Sequence, residues 1–220
     1  MIVKVCGITR DVDIPPAIAA GATHLGMIFA SGSPRELTVD EATILRRVIP
    51  EGIEAVGVFR KQSLDEVQEI AQQVGLQWVQ LHGGFDEADI QTLQREGYKV
   101  IWATPVDMTG SYTAPSSAPD LLLLDTATAS SFGGTGKAFS WAHTARPATP
   151  FLIAGGLKPT NVGRAIHALR PDGVDLSSGV EAAPGVKSHA LLRELGQALQ
   201  NLSTPRETPV TDDVSANSEA

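Results

Sequence analysis

Eight short apolar runs recur along the chain and are separated by longer amphipathic or polar segments. Most runs are continuously apolar, which is typical of strands covered on both faces in a parallel sheet. The runs are Ile2–Ile8, His24–Phe29, Ile53–Phe59, Trp78–Leu81, Val100–Ala103, Leu121–Leu124, Phe151–Ala154 and Val174–Leu176. Eight such strands alternating with helices predict an α/β fold, a closed (β/α)₈ TIM barrel. An open doubly wound sheet is the alternative, because it accommodates a similar number of strands.

The segments between the runs predict helices. Two of them begin with a capping box, Thr38 with Glu41 and Ser63 with Glu66, in which side chains bind the free N–H groups of the first turn. The predicted helices are Val39–Val48, Leu64–Val74, Asp86–Arg95, Asn161–Leu169 and Ser188–Leu202. The segment 107–119 is rich in Ser, Pro and Thr and is predicted to be a loop or a degenerate helix.

The 220 residues suit one domain, which we expect to span residues 1–202. Residues 203–220 are polar and acidic, with two prolines and no aromatic side chain. Such a segment buries too little apolar surface to order itself, so it is predicted to be a disordered tail. Near the other end, Asp11 and Asp13 precede the first helical segment and are expected to cap it.

Charge and cysteine content restrict the function classes. The net charge of −8 argues against broad nucleic-acid binding, but it allows an anionic small molecule held by backbone N–H groups. The single cysteine excludes an intramolecular disulfide and a cysteine-based metal site. No signal sequence and no apolar stretch of a membrane span's length is present, so we expect a cytoplasmic protein without membrane association. Either a monomer or a homodimer fits this size.

Polar residues that end the late apolar runs predict a phosphate site, because a barrel of this kind carries its active site at the carboxyl ends of its strands. Glycines let backbone N–H groups approach an anion, and hydroxyls add donors. The candidate residues are Gly155, Gly156, Ser177, Ser178 and Gly179. The alternative is that these glycines only form tight turns. A further glycine-rich stretch, Gly133–Gly136, is expected to be a mobile loop over the site.

Two residues are candidates for acid and base chemistry. Asp125 follows four leucines, and a carboxyl group between apolar walls has a raised pKa that suits a general acid. Its alternative is a structural aspartate that caps the next turn. Cys6 ends the first run, and its thiol is a base once its pKa is lowered. Its alternative is a small buried apolar residue.

Three further residues at strand ends are candidates for substrate contacts. Arg35 is suited to bind a carboxylate bidentately, and the alternative is a surface arginine. His82 is suited to bind substrate, and the alternative is a histidine satisfied at the barrel rim. Asp175 opens the segment that continues into Ser177.

These residues lie within motifs that resemble phosphoribosylanthranilate isomerases of tryptophan biosynthesis. The resemblance runs from Ile2 to about Leu202, and its most specific parts are the Cys-Gly-Ile-Thr start and the Ser-Ser-Gly-Val-Glu segment. The motifs are Lys4–Thr9, Ser33–Arg35, Val58–Phe59, Val79–Gly83, Leu124–Asp125, Gly133–Gly136, Ala154–Leu157, Asp175–Glu181 and Pro184–Lys187. One departure is Ser188, where the family commonly has an aspartate.

The resemblance implies a (β/α)₈ barrel that needs no cofactor and no metal. It implies an Amadori rearrangement with Cys6 as general base and Asp125 as general acid. It also implies that Arg35 contacts the anthranilate carboxylate and that the glycine and serine loops hold the phosphate. A different sugar-phosphate isomerase and a non-catalytic barrel that binds phosphometabolites are the alternative functions.

Overall fold

Eight parallel strands close into a barrel in chain order in the computed structural model, which describes residues 1–126 and 139–203. The (β/α)₈ prediction is confirmed, and the open sheet is excluded because the first strand pairs with the eighth, with Lys4 opposite Asp175. The strands are β1 Ile2–Cys6, β2 His24–Ile28, β3 Glu54–Phe59, β4 Trp78–Leu81, β5 Lys99–Val106, β6 Leu121–Thr126, β7 Phe151–Ile153 and β8 Gly173–Leu176.

Helices cover the barrel wherever the sequence between strands is amphipathic. In the described residues they are α1 Ile14–Ala19, α2 Val39–Val48, α3 Leu64–Val74, α4 Glu87–Arg95, α5 Val162–Leu169 and α6 His189–Ser203. Both predicted capping boxes are formed, at the starts of α2 and α3. A third box, Asp86 with Asp89, begins α4. Helix α6 runs one residue beyond its predicted end.

The connection from β5 to β6 contains no helix, as the composition of residues 107–119 predicted. The predicted loop Gly133–Gly136 lies outside the described residues, as does the predicted tail beyond Ser203. Within the described part of the chain, no helix is both long and apolar enough to cross a membrane.

Two apolar cores fill the molecule. The larger lies between the strands and the helices and contains residues such as Leu25, Met27 and Val79. The smaller contains Val56, Ile101 and Leu123 among others, whose side chains alternate with those of the larger core along the strands. The smaller core therefore fills the barrel interior and leaves the carboxyl ends of the strands to polar side chains.

Strand β1 ends at Cys6 and not at Ile8 as the apolar run predicted. The chain turns at Gly7, whose φ is 75°, and the N–H groups of Gly7 and Ile8 both donate to the carbonyl oxygen of Gly26. An antiparallel hairpin that no sequence pattern indicated follows β8, formed by β9 Glu181–Ala183 and β10 Val186–Lys187.

Candidate active site

One cavity at the carboxyl ends of the strands is lined by every residue that the sequence selected for the site. These are Cys6, Arg35, His82, Asp125, Gly155, Gly156, Asp175, Ser177, Ser178 and Gly179. They come from β1, β6 and β8 and from the loops that follow β2, β4, β7 and β8. The barrel thus brings together residues that lie up to 173 positions apart in the chain.

Cys6 is buried beside Gly26 of the neighbouring strand, with which it is in register. A Cβ atom at Gly26 would lie 2.7 Å from the Cys6 Sγ, so the missing side chain leaves room for the thiol. Burial raises the pKa of Cys6, and the ammonium groups of Lys4 and Lys187 oppose this rise while the Asp175 carboxylate adds to it. The thiol is therefore the resting form near neutral pH.

Asp125 lies in the cavity wall, and its side chain is partly buried. Burial and the nearby Asp175 carboxylate raise the pKa of Asp125 to about 6, against a backbone hydrogen bond from Thr126 and the charge of Lys4. The hydrogen bond from Thr126 belongs to the capping alternative, and it coexists with a position in the cavity wall. A pKa near 6 is suited to donating a proton near neutral pH.

His82 lies close to Asp125, with 3.8 Å between its Nε2 and the Asp125 Oδ2. Burial, with the positive charges of Arg60 and Lys4, lowers the pKa of His82 to about 4. The imidazole is therefore neutral near pH 7, and the contact with Asp125 is not an ion pair at that pH.

Lys4 is a buried residue behind the cavity wall that the sequence did not single out. It is fully buried, and its Nζ donates to the Asp175 Oδ2 at 3.0 Å. Burial alone would lower the pKa of Lys4, but Asp175 and Cys6 together raise it above the ordinary value. The sequence spacing could have indicated that Lys4 lies near Cys6. The two residues are two positions apart in one strand, so their side chains share the face that lines the barrel interior.

At the glycine positions of the predicted phosphate loops the structure leaves no room for a side chain. Gly155 and Gly156 have φ angles of 80° and 66°, and the position of a Cβ at Gly155 is occupied by Thr126. A Cβ at Gly179 would meet the carbonyl group of Leu157. These glycines do form tight turns, as the alternative interpretation held, and the same turns place backbone atoms at the cavity wall.

Arg35 is not a surface arginine, because its side chain is only 14 % exposed. Its Nε and Nη2 donate to the two carboxylate oxygens of Glu181 at 2.8 and 2.6 Å. Lys187 Nζ also donates to Glu181, at 2.8 Å. Glu181 and Lys187 belong to the hairpin that the sequence analysis missed, and they fix the orientation of Arg35 at the cavity.

The expectation that Asp13 caps the first helix is wrong. Its side chain makes no capping hydrogen bond to α1. The buried carboxylate instead accepts from Arg10 Nε at 2.9 Å, from His189 Nε2 at 2.9 Å and from the backbone N–H of Lys187 at 3.1 Å. The Asp13 carboxylate is therefore engaged by Arg10 and by two residues from the other end of the chain, and the contact with Lys187 fastens the hairpin to the start of the barrel.

The departure at Ser188 leaves the last helix capped, since the Ser188 Oγ accepts from Leu191 N at 3.3 Å. Among residues 1–126 and 139–203, no three His, Cys, Asp or Glu side chains are grouped so as to hold a metal ion.

A family model described as N-(5'phosphoribosyl)anthranilate (PRA) isomerase matches residues 3–198. The chain belongs to the PRA isomerase family. PRA isomerase from Pseudomonas fluorescens is 37% identical over 201 residues, which cover 91% of this chain and 96% of the relative. The enzyme from Rubrobacter xylanophilus is 39% identical over 203 residues, with 90% and 98% covered.

Solved PRA isomerase structures agree with this. The enzyme from Thermus thermophilus has a TM-score of 0.81 and 35% identity, and the match covers 92% of this chain and all of that one. Another PRA isomerase, with a TM-score of 0.74 and 28% identity, is in complex with reduced 1-(o-carboxyphenylamino)-1-deoxyribulose 5-phosphate; that match covers 91% of this chain and all of the other. The chain is thus an isomerase, as its motifs predicted.

Proposed function

We propose that the chain rearranges N-(5-phosphoribosyl)anthranilate to 1-(2-carboxyphenylamino)-1-deoxyribulose 5-phosphate in tryptophan biosynthesis, with Cys6 as general base and Asp125 as general acid. The observation that carries the proposal is that both groups line one cavity, at the ends of β1 and β6. Strands β7 and β8, whose loops are the phosphate candidates, lie between them in the barrel.

Asp125 begins the reaction by donating its proton to the furanose ring oxygen. The bond between this oxygen and the anomeric carbon breaks, and the nitrogen lone pair forms the protonated imine. A carboxyl group with a pKa of about 6 holds a proton at useful occupancy near neutral pH and is still acidic enough to release it.

Cys6 then acts as its thiolate and removes the proton from the adjacent sugar carbon. The electron pair of this C–H bond neutralises the protonated imine and gives an enolamine, which tautomerises to the ketone. Because the positive imine acidifies the proton, a thiolate is a sufficient base. The nearby ammonium groups of Lys4 and Lys187 favour the charged form of Cys6.

The remaining cavity residues bind the ends of the substrate. Arg35, whose side chain Glu181 orients, would contact the anthranilate carboxylate. The loops with Gly155, Gly156 and Ser177–Gly179 would hold the phosphate, and His82 and Asp175 would contact the sugar, since all of them line the same cavity. The related enzyme that holds a reduced carboxyphenylamino deoxyribulose phosphate supports a ligand with this same sequence of groups.

A small phosphorylated molecule is thus the expected partner. We place the enzyme in the cytoplasm, where reducing conditions keep a catalytic thiol free. A homodimer, one of the two states that the sequence allows, has a precedent in the dimeric enzyme from Thermotoga maritima.

Turnover assays with purified variants test the proposal. We expect the unmodified chain to consume phosphoribosylanthranilate, measured as loss of its fluorescence, and to rescue a tryptophan auxotroph that lacks this isomerase. Cys6→Ser and Asp125→Asn should each lower kcat by about 10²- to 10⁴-fold, since each removes one proton-transfer group. The matched control Asp65→Asn, at an exposed position of α3, should keep full activity. Full activity of Cys6→Ser or Asp125→Asn would refute the assigned role.

A further inference from the structure

The buried ion pair between Lys4 and Asp175 lies in the wall that separates the proposed base from the proposed acid. Lys4 is fully buried, and the Asp175 side chain is 8 % exposed. The two residues are opposite each other in the register of β1 and β8, and their charged atoms are 3.0 Å apart. Pairs this deep cost desolvation free energy, so they are weak candidates for a purely stabilising role.

The two ends of the pair face different reacting groups. The ammonium of Lys4 shares the inward face of β1 with Cys6, two residues further along the strand. The carboxylate of Asp175 lines the cavity together with Asp125, and its Oδ1 has no hydrogen-bond partner in the described part of the chain. Asp175 therefore has one carboxylate oxygen without a hydrogen bond, in the cavity that it shares with the acid.

We propose that the Lys4–Asp175 pair is a positioning element that favours the protonated form of Asp125 and the thiolate form of Cys6, with the ammonium acting on the thiol and the carboxylate acting on the acid. This inference rests on the roles proposed above for Cys6 and Asp125. The ion pair thus favours the charged form of Cys6 and the neutral form of Asp125, and it does so before substrate enters.

The order of the electrostatic causes supports the geometry. At Cys6 the effect of Lys4, which lowers the pKa, is larger than the effect of Asp175, which raises it. At Asp125 the order is reversed, and Asp175 raises the pKa more than Lys4 lowers it. The net effect of the pair is therefore to lower one pKa and to raise the other.

Other charged groups also face these residues. Lys187 faces Cys6 from the hairpin, and its Nζ donates to the Cys6 carbonyl oxygen at 2.5 Å. Arg35 interacts electrostatically with Cys6 from the loop after β2. His82 faces Asp125 from the loop after β4 and is neutral near pH 7. The Lys4–Asp175 pair differs from them because it acts on the acid and the base at once.

The double variant Lys4→Met/Asp175→Asn tests the proposal. It removes both charges together, because removal of one would leave the other buried and unpaired. Cys6 is the only cysteine, so the rate of alkylation by iodoacetamide as a function of pH reports its thiolate alone. The carboxyl carbon signal of Asp125 in ¹³C NMR reports the acid.

We expect the two midpoints to move in opposite directions. The pH midpoint for alkylation of Cys6 should rise. At any fixed pH below this midpoint, a rise of one pH unit slows alkylation about tenfold. The midpoint of Asp125 should fall from about 6 toward the ordinary aspartate value of about 4. The matched control is Lys99→Met/Asp65→Asn, which removes one exposed lysine and one exposed aspartate and should leave both midpoints in place.

Unchanged midpoints, or midpoints that move in the same direction, would overturn the proposal. If the double variant does not fold, Asp175→Asn alone decides the question at Cys6. Its alkylation midpoint should fall, because Lys4 then has the thiolate as its counter-charge, and a midpoint that stays or rises would overturn the proposal. Neither readout requires turnover, so this failure is distinct from that of the proposed function, which would show as an active Cys6→Ser or Asp125→Asn.

Discussion

The proposed acid and base have pKa values in an unusual order. The pKa of Asp125 is raised to about 6, and that of Cys6 is raised above its ordinary value. The proposed mechanism needs a protonated Asp125 together with an ionised Cys6. Between the two pKa values the dominant form is the reverse one, with an ionised carboxylate and a neutral thiol. The two forms carry the same number of protons, so their ratio does not depend on pH. The fraction of the form that the mechanism needs is therefore small and constant across that range.

The pH dependence of kcat/KM should show this directly. We expect the rate to rise with pH up to about 6, to stay flat until the Cys6 pKa, and to fall above it. Below pH 6 both groups are protonated, and above the Cys6 pKa both are ionised. A steady tenfold rise per pH unit between about 6 and 9 would mean that only the base matters, and a steady fall would mean that only the acid matters.

A control is needed on the acidic side, because the substrate phosphate also titrates near a pH of about 6. In Asp125→Glu the limb that belongs to the acid should move, whereas a limb that belongs to the phosphate should remain where it is.

Gly26 is a residue whose missing side chain shapes the site. Gly26→Ala would place a Cβ 2.7 Å from the Cys6 Sγ and 3.0 Å from its Cα, so the thiol or the strand must shift. We expect a loss of about 1–3 kcal/mol of unfolding free energy in urea. We also expect a fall in kcat of up to ~100-fold, because small misplacements of a reacting group are costly.

The matched control for this substitution is Gly163→Ala in α5, where the new Cβ would meet Leu202 at an ordinary 3.5 Å. It should leave kcat unchanged and stabilise the protein by about 0.4–1 kcal/mol. Normal activity of Gly26→Ala would show that the thiol does not depend on this space.

At the scale of elements, the hairpin β9–β10 depends on a residue at the other end of the chain. Asp13→Ala leaves the buried N–H of Lys187 without its acceptor, which should cost about 1–3 kcal/mol of unfolding free energy. Lys187 and Glu181 would then be displaced, so KM should rise through the loosened Arg35. Urea denaturation and steady-state kinetics measure the two effects.

The control for Asp13→Ala is Arg10→Ala, which removes a partner whose side chain is 39 % exposed. Asp13 keeps its hydrogen bonds from His189 and from the Lys187 N–H in this variant, so the hairpin contact remains and KM should not change. Equal effects of the two substitutions would assign the stabilisation to the ion pair and not to the hairpin contact.

Elements with a regular hydrophobic pattern could be predicted from the sequence, whereas those held by tertiary contacts could not. Helices α2 and α3 have the predicted bounds because their capping boxes and periodicity are local. The hairpin is short, and its first strand, Glu181–Ala183, is largely exposed and carries no apolar pattern. Asp13 was misread because its partners His189 and Lys187 are distant in sequence.

At the scale of the whole molecule, the barrel followed from the number and apolar character of the runs, and the positions of the strand ends located the site. All predicted site residues line the cavity for this reason. The ion pair between Lys4 and Asp175 could not be predicted from the sequence, because it depends on the register in which β1 pairs with β8 when the barrel closes. A lysine within a strand is informative only once its strand partner is known.

The closure of the barrel has a consequence for how the chain folds. Lys4 and Asp175 are separated by 171 positions, and they meet across the junction of the first and last barrel strands. During synthesis the ion pair of Lys4 can form only after β8, which carries Asp175, has been made. Chains truncated before β8 should therefore lack both a closed wall and a correctly biased acid and base. Such truncated chains should therefore be inactive.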